Sequence, residues 1–175
     1  MNNKELKKHI IKAYKYEQQG LLEKANQEIK YCIGKDDKNA ELYNVMGILY
    51  GELELWQKSE DAFLKALELN PKINVHLSLG ATYLAHGKAK EAITEFLICI
   101  SAKPNDALAH LQLGFGYYDE HRFTEAAEEM EIALKLNPSF PNVHGCLSEV
   151  YEMLGYKEKA QRELEIQKRF ESRRH

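Results

Sequence analysis

Between residues 40 and 69 the apolar positions recur at helical spacing, not strand spacing. Tyr43, Met46, Gly47 and Tyr50 stand at i, i+3, i+4 and i+7, and Ser59, Phe63 and Ala66 repeat the one-turn step further on. Each run predicts a helix with one buried face. Asn70-Pro71 ends the second, because proline has no N–H to donate and restricts the residue before it. The predicted unit is therefore a pair of helices followed by a stop.

The same pattern is then spelled again. Residues 46–71, "MGILYGELELWQKSEDAFLKALELNP", align without a gap on residues 113–138, "LGFGYYDEHRFTEAAEEMEIALKLNP". A third window at 79–104 places Gly80, Tyr83, Ala92, Phe96 and Pro104 in the slots of Gly47, Tyr50, Ser59, Phe63 and Pro71. One period earlier stand Ala13, Tyr16, Ala25 and Ile29, and one period later Ser148, Tyr151, Ala160 and Leu164. Ala13, Gly47, Gly80, Gly114 and Ser148 are separated by 34, 33, 34 and 34 residues. Such a period is the mark of a stacked array of supersecondary units, each too small to hold a core alone. We expect one array over residues 1–175, with units at about 6–39, 40–72, 73–106, 107–140 and 141–175. Gly20, Gly87 and Gly155 mark the break between the two helices in three units. The glycine slot and the small Ala/Ser slot let the paired helices approach closely, with aromatic residues filling the space around them.

These residues carry a resemblance to the tetratricopeptide repeat family, whose pattern is W-x₂-L-G-x₂-Y…A-x₃-F…P. It is strongest over residues 40–140; the first unit has Asp37 in the proline slot, and the last has Ser148 for glycine and no closing proline. The polar run "KEKAQRELEIQKRFESRR" suits a helix that caps a stack. The resemblance implies an all-α, right-handed superhelical solenoid of five helix-turn-helix hairpins. It also implies a non-catalytic module that binds a peptide or protein segment in a concave groove lined by the first helices. The free face of each first helix then falls on slots two, five, nine and twelve. It presents Lys7, Ile10, Tyr14 and Glu17, then Glu41, Asn44, Ile48 and Gly51 with Glu52 beside them, then Asn74, Leu77, Ala81 and Leu84. The fourth unit offers Leu108, Leu111, Phe115 and Tyr118, and the fifth Asn142, Gly145, Glu149 and Glu152. From these we expect partner contacts at Tyr14, Asn44, Asn74, Leu77, Leu84, Leu108, Leu111, Phe115, Tyr118, Asn142 and Glu149. For Leu111 and Phe115 the alternative is packing against a neighbouring first helix. The expected partner is a segment with apolar anchors and basic flanks. The lysine, asparagine and arginine of the family's carboxylate clamp are absent, since those slots hold Ile10, Tyr14, Val45, Leu108 and Gln112.

Charge adds a second reading. The net charge of −3 divides into +4 over residues 1–15, −10 over 16–156 and +3 over 157–175. An acidic body argues against nucleic acid as partner. Acidic middle and basic ends could meet between copies, so a self-assembling homo-oligomeric scaffold is the alternative, and a secretion-type chaperone a further one. Cys32, Cys99 and Cys146 are odd in number and widely spaced. They fit no disulfide framework, and with no apolar leader or membrane-length stretch they predict a cytoplasmic protein.

No catalytic motif is present, and neither metal nor cofactor is expected; "GFG" at 114–116 lies inside a predicted helix, not in a phosphate loop. His9, His76, His110 and His144, with Tyr43, fill the family's tryptophan slot. Equivalent slots in stacked units lie ~10 Å apart, too far to share a metal, so each histidine is expected to pack with one ring nitrogen satisfied; a pH-dependent loosening of the stack is the alternative. Glu128 and Glu129 are expected on a solvated face.

Overall fold

The computed structural model describes residues 3–140 and 142–172, with the side chains at 3, 4, 6 and 7 outside the description. Lys7 on the first face thus has no described side chain, and the C-terminal Arg173 and Arg174 lie outside the described residues. The described chain holds ten helices and no strand: α1 (Asn3–Gln18), α2 (Leu22–Ile33), α3 (Ala40–Glu52), α4 (Trp56–Leu69), α5 (His76–Ala85), α6 (Ala89–Ala102), α7 (Ala107–Asp119), α8 (Phe123–Leu136), α9 (Val143–Met153) and α10 (Lys157–Ser172). They divide into two compact units, Met1–Gly87 with α1–α5 and Lys88–His175 with α6–α10. Within each unit every helix packs on its neighbour in sequence.

The turn between paired helices has one design. Leu21, Leu55, Arg122 and Tyr156 donate their backbone N–H to the carbonyls of Tyr16, Tyr50, Tyr117 and Tyr151, five residues back, at 2.8–2.9 Å. That closure needs a left-handed residue just before the donor. Gly20 and Gly155 supply it with φ of 69° and 77°, and Gly87 has the same left-handed conformation at 75°. Glu54 and His121 take the same conformation, φ 56° and 58°, despite their side chains. At the far end of the second helices, Asn70 and Asn137 are extended, and their side-chain oxygens accept from the N–H of Lys72 and Ser139 at 3.1 Å. The Asn-Pro signal thus stops the helix twice, by a missing donor and by a side-chain turn. Asn39 and Asp106 cap the next first helices, accepting from Glu41 N, and from Leu108 N and Ala109 N.

The close approach expected of the glycine slot is present. A Cβ on Gly47 would sit 2.7–2.8 Å from the Phe63 ring, and one on Gly114 2.9 Å from Met130 Cγ. Where a hydroxyl enters this contact it is satisfied: Ser59 Oγ donates to Gly47 O at 2.7 Å, and Ser148 Oγ to Ala160 O at 2.8 Å. Serine therefore fits the glycine slot of the last unit. In the first compact unit the core forms around Ala13, Ile29, Val45 and Leu49, and around Phe63, Ala66, Val75 and Leu79. In the second it forms around Met130, Leu147, Val150 and Tyr151. Only Ala160 and Gln167 are buried along α10, as a capping helix requires.

Candidate interaction surface

The faces at slots two, five, nine and twelve differ in how much of each is left for a partner. In the first compact unit Tyr14 is 39% exposed, and burial, with the carboxylates of Glu41 and Glu17 nearby, raises its phenol above the ordinary value. Asn44, Leu77 and Leu84 are half-buried and Asn74 is exposed, while Ile48 packs on the Phe63 core. Ile48, Gly51, Glu52 and Ala81, all on the expected face, also line a pocket of about 450 Å³ together with Glu54 and Trp56.

In the second compact unit Leu108 is 40% exposed on the first turn of α7. Leu111 is not available: at 7% exposure it belongs to the core with Met130, Leu147 and Val150. Slot five borders the second helix of its own hairpin, as Gly145 shows, where an added Cβ would meet Gln167 at 3.7 Å. Leu111 fills that space, so packing is its role. Phe115 and Tyr118 are half-buried against the same core, Tyr118 edge-on to Phe123 at 5.7 Å between centroids. Asn142 is exposed with a left-handed φ of 64°, and its Oδ1 accepts from Gln167 Nε2 at 3.1 Å. Glu149 is exposed.

The histidine slot is paired, not solvated. His9, His110 and His144 each bring Nδ1 to 2.6 Å from a carboxylate of the partner helix, that of Glu28, Glu129 and Glu163. His110 Nε2–H also donates to the Pro104 carbonyl at 2.9 Å, so both its ring nitrogens are engaged. Glu129 is accordingly a cross-hairpin partner and not a free surface acid. The pairs were visible as a 19-residue step between His and Glu, which recurs at 9/28, 76/95, 110/129 and 144/163. Burial works against the Glu28 charge, but Lys12 and His9 outweigh it and hold its carboxyl below the usual range. Burial also pushes the thiols of Cys32, Cys99 and Cys146 up. No group of three His, Cys, Asp or Glu able to hold a metal ion occurs among the described residues. No described helix is long and apolar enough to cross a membrane.

Paired helices, a small-residue contact inside the α3–α4, α7–α8 and α9–α10 pairs and polar or apolar faces left on the first helices define an all-α repeat of the solenoid class. Residues 40–73 match the family model described as Tetratricopeptide repeat. The chain is 28% identical over 124 residues to the human tetratricopeptide repeat protein 6, a match covering 65% of this chain and 22% of that protein, so the chain spans about a fifth of its relative. Among solved structures, MamA residues 41 to the end from Desulfovibrio magneticus RS-1 superposes with a TM-score of 0.90 at 23% identity, over 98% of this chain and 97% of that one. A MamA RS-1 double mutant gives 0.91 at 23%, covering 99% and 98%. YrrB, described as a TPR protein with an unusual peptide-binding site, gives 0.78 at 21%, covering 93% and 84%.

Proposed function

We propose that this protein is a non-catalytic interaction module, residues 1–175 working as one array in the cytoplasm, whose first-helix faces bind an extended or helical segment of another protein. The observation that carries the reading is the set of side chains the hairpins leave unused. Tyr14, Leu108 and Glu149 stay exposed on helices whose other faces are committed to the core, and Asn74 is exposed two residues before α5. Asn44, Leu77, Leu84, Phe115 and Tyr118 are half-buried, and Asn142 is exposed. YrrB, a protein of similar fold, has a peptide-binding site, which supports the same use here. Exposed acids at Glu41, Glu52, Glu149 and Glu152 favour basic flanks around apolar anchors in the bound segment.

Selection of a random displayed peptide library on the purified chain tests this. Enriched peptides should carry apolar anchors with Lys or Arg beside them. Their binding, measured by calorimetry, should weaken at least about tenfold when Leu108→Ser and Asn44→Ala are combined, both lying outside the core. A library that yields no enriched sequence, or peptides indifferent to those changes, overturns the reading. Size-exclusion chromatography with light scattering at low and high salt separates self-assembly from it, since charge-driven oligomers dissolve as salt rises.

A further inference from the structure

The second repeat alone carries glycine at slot twelve, where the other units have Glu17, Leu84, Tyr118 and Glu152. At Gly51 an added Cβ would meet only Ser59 Oγ, at 3.6 Å, so the position has room for a side chain and supplies none. The space opens into the pocket of about 450 Å³ bounded by Ile48, Gly51, Ala81, Glu52, Glu54 and Trp56. That volume lies in the range of clefts that enclose small groups.

Three features give the pocket one sign. Glu52 stands in the last turn of α3, which has no basic residue. A helix C-terminus is already the negative end of the backbone dipole, so an acid there is misplaced unless a cation answers it. Glu54 adds a second carboxylate from the turn. Among the described residues neither has a hydrogen-bond or ion-pair partner. Trp56, the chain's single tryptophan, has no ring or cation partner either, whereas Tyr16, Tyr50, Tyr117 and Tyr151 each carry a lysine or arginine over the ring.

We propose that this pocket receives an arginine side chain of the bound segment, its stem along Ile48 and Ala81 and its guanidinium between Trp56 and the carboxylates of Glu52 and Glu54. This rests on the peptide-binding reading above and names the chemistry it selects. A planar guanidinium stacks on an indole and offers forked donors to two carboxylates, while an ammonium is a hydrated point charge. The long stem covers apolar lining that a short cation would leave wet.

The test uses the ¹⁵N-labelled chain and three small probes at millimolar concentration: N-acetyl-arginine amide, N-acetyl-lysine amide and N-acetyl-citrulline amide. The arginine probe should shift the Trp56 indole N–H and the Gly51 and Glu52 amides saturably, the lysine probe more weakly. Citrulline, which keeps the shape and loses the charge, should leave them in place. Gly51→Leu fills the pocket with the residue that slot holds in the third repeat, and Glu52→Gln with Glu54→Gln removes its charge. Each should weaken the arginine probe by about tenfold or more, with unchanged far-ultraviolet circular dichroism. Equal shifts from citrulline, no saturable shift at Trp56, or binding indifferent to Gly51→Leu would overturn the assignment. Peptide selection that succeeds while Trp56 stays silent sinks the pocket alone. Saturable arginine shifts with failed peptide selection uphold the pocket and remove the peptide reading.

Discussion

Gly47→Ala is the sharpest probe of how a hairpin closes. The new methyl would lie 2.7–2.8 Å from three ring carbons of Phe63, which is 1% exposed at the centre of its core. Carbon atoms rest at roughly 3.5–4.0 Å, so ring or helix must give by about 1 Å. Overpacking of this kind costs about 1–3 kcal/mol, and alanine recovers about 1 kcal/mol over glycine in a helix interior. The net expectation is a loss of about 0–2 kcal/mol. Phe63→Leu alone should also destabilise, by about 1–2 kcal/mol of lost burial. In the double variant the methyl occupies space the ring has left, so the effects should fall short of their sum by at least about 0.5 kcal/mol. Urea denaturation gives the four stabilities. Amide hydrogen exchange in α3 and α4 shows that the loss is local, as a nearest-neighbour array requires. A Gly47→Ala variant more stable than the parent, or strictly additive effects, would refute the close-contact account.

The same contact logic gives the opposite sign at Gly145, where a Cβ would meet Gln167 at an ordinary 3.7 Å. Gly145→Ala should stabilise by about 0.5–1 kcal/mol, read as a raised melting temperature. At Asp106, burial disfavours the charge, but the N–H of Ala109, Lys103 and the N–H of Leu108 outweigh it and hold the carboxyl below its usual range. A depressed carboxyl contributes stability above its unfolded value of about 3.9 that fades as pH falls through the folded one. Asp106→Ala should therefore lose about 1 kcal/mol at neutral pH, and urea midpoints of the two proteins should converge on acidification below the carboxylate range. Glu54→Gly replaces a left-handed glutamate with the residue three other turns use, so it should raise stability by about 1 kcal/mol. In the same titrations it should weaken the arginine probe; a gain in both would separate Glu54 from the pocket.

The fold was legible because a repeat multiplies weak signals. One Gly-x₂-Tyr is common, but the same four slots in register across five units fix helix pairs, turns and small-residue contacts together, and Gly47 against Phe63 or Gly114 against Met130 is their physical content. The surface was less legible. Slots on a helix are assigned by angle, and slot five lies at the edge of the free face, so Leu111 could be read as partner-facing although its own hairpin buries it. The histidines were read from their slot, and their glutamates stand out only once the 19-residue step is compared between units. A pair 19 residues apart joins two helices, and periodicity along either helix alone carries no such signal.

The remaining irregularities converge on one place. In the second repeat glycine replaces a larger slot-twelve residue, and glutamate takes the left-handed position that glycine fills in three other turns, two residues after the acid that closes α3 as Asp119 closes α7. The only tryptophan opens the following helix. Gly51 and Glu54 work against local stability, and Glu52, Glu54 and Trp56 stand without a partner among the described residues, all within residues 51–56. His121 breaks the turn rule too, but alone, with its ring 5.8 Å from Phe123. Gly51, Glu52, Glu54 and Trp56 line one cavity, and its two charged side chains share a sign. A cationic side chain from outside the chain supplies the counter-charge for Glu52 and Glu54, the ring partner for Trp56 and the volume missing at Gly51 in a single contact.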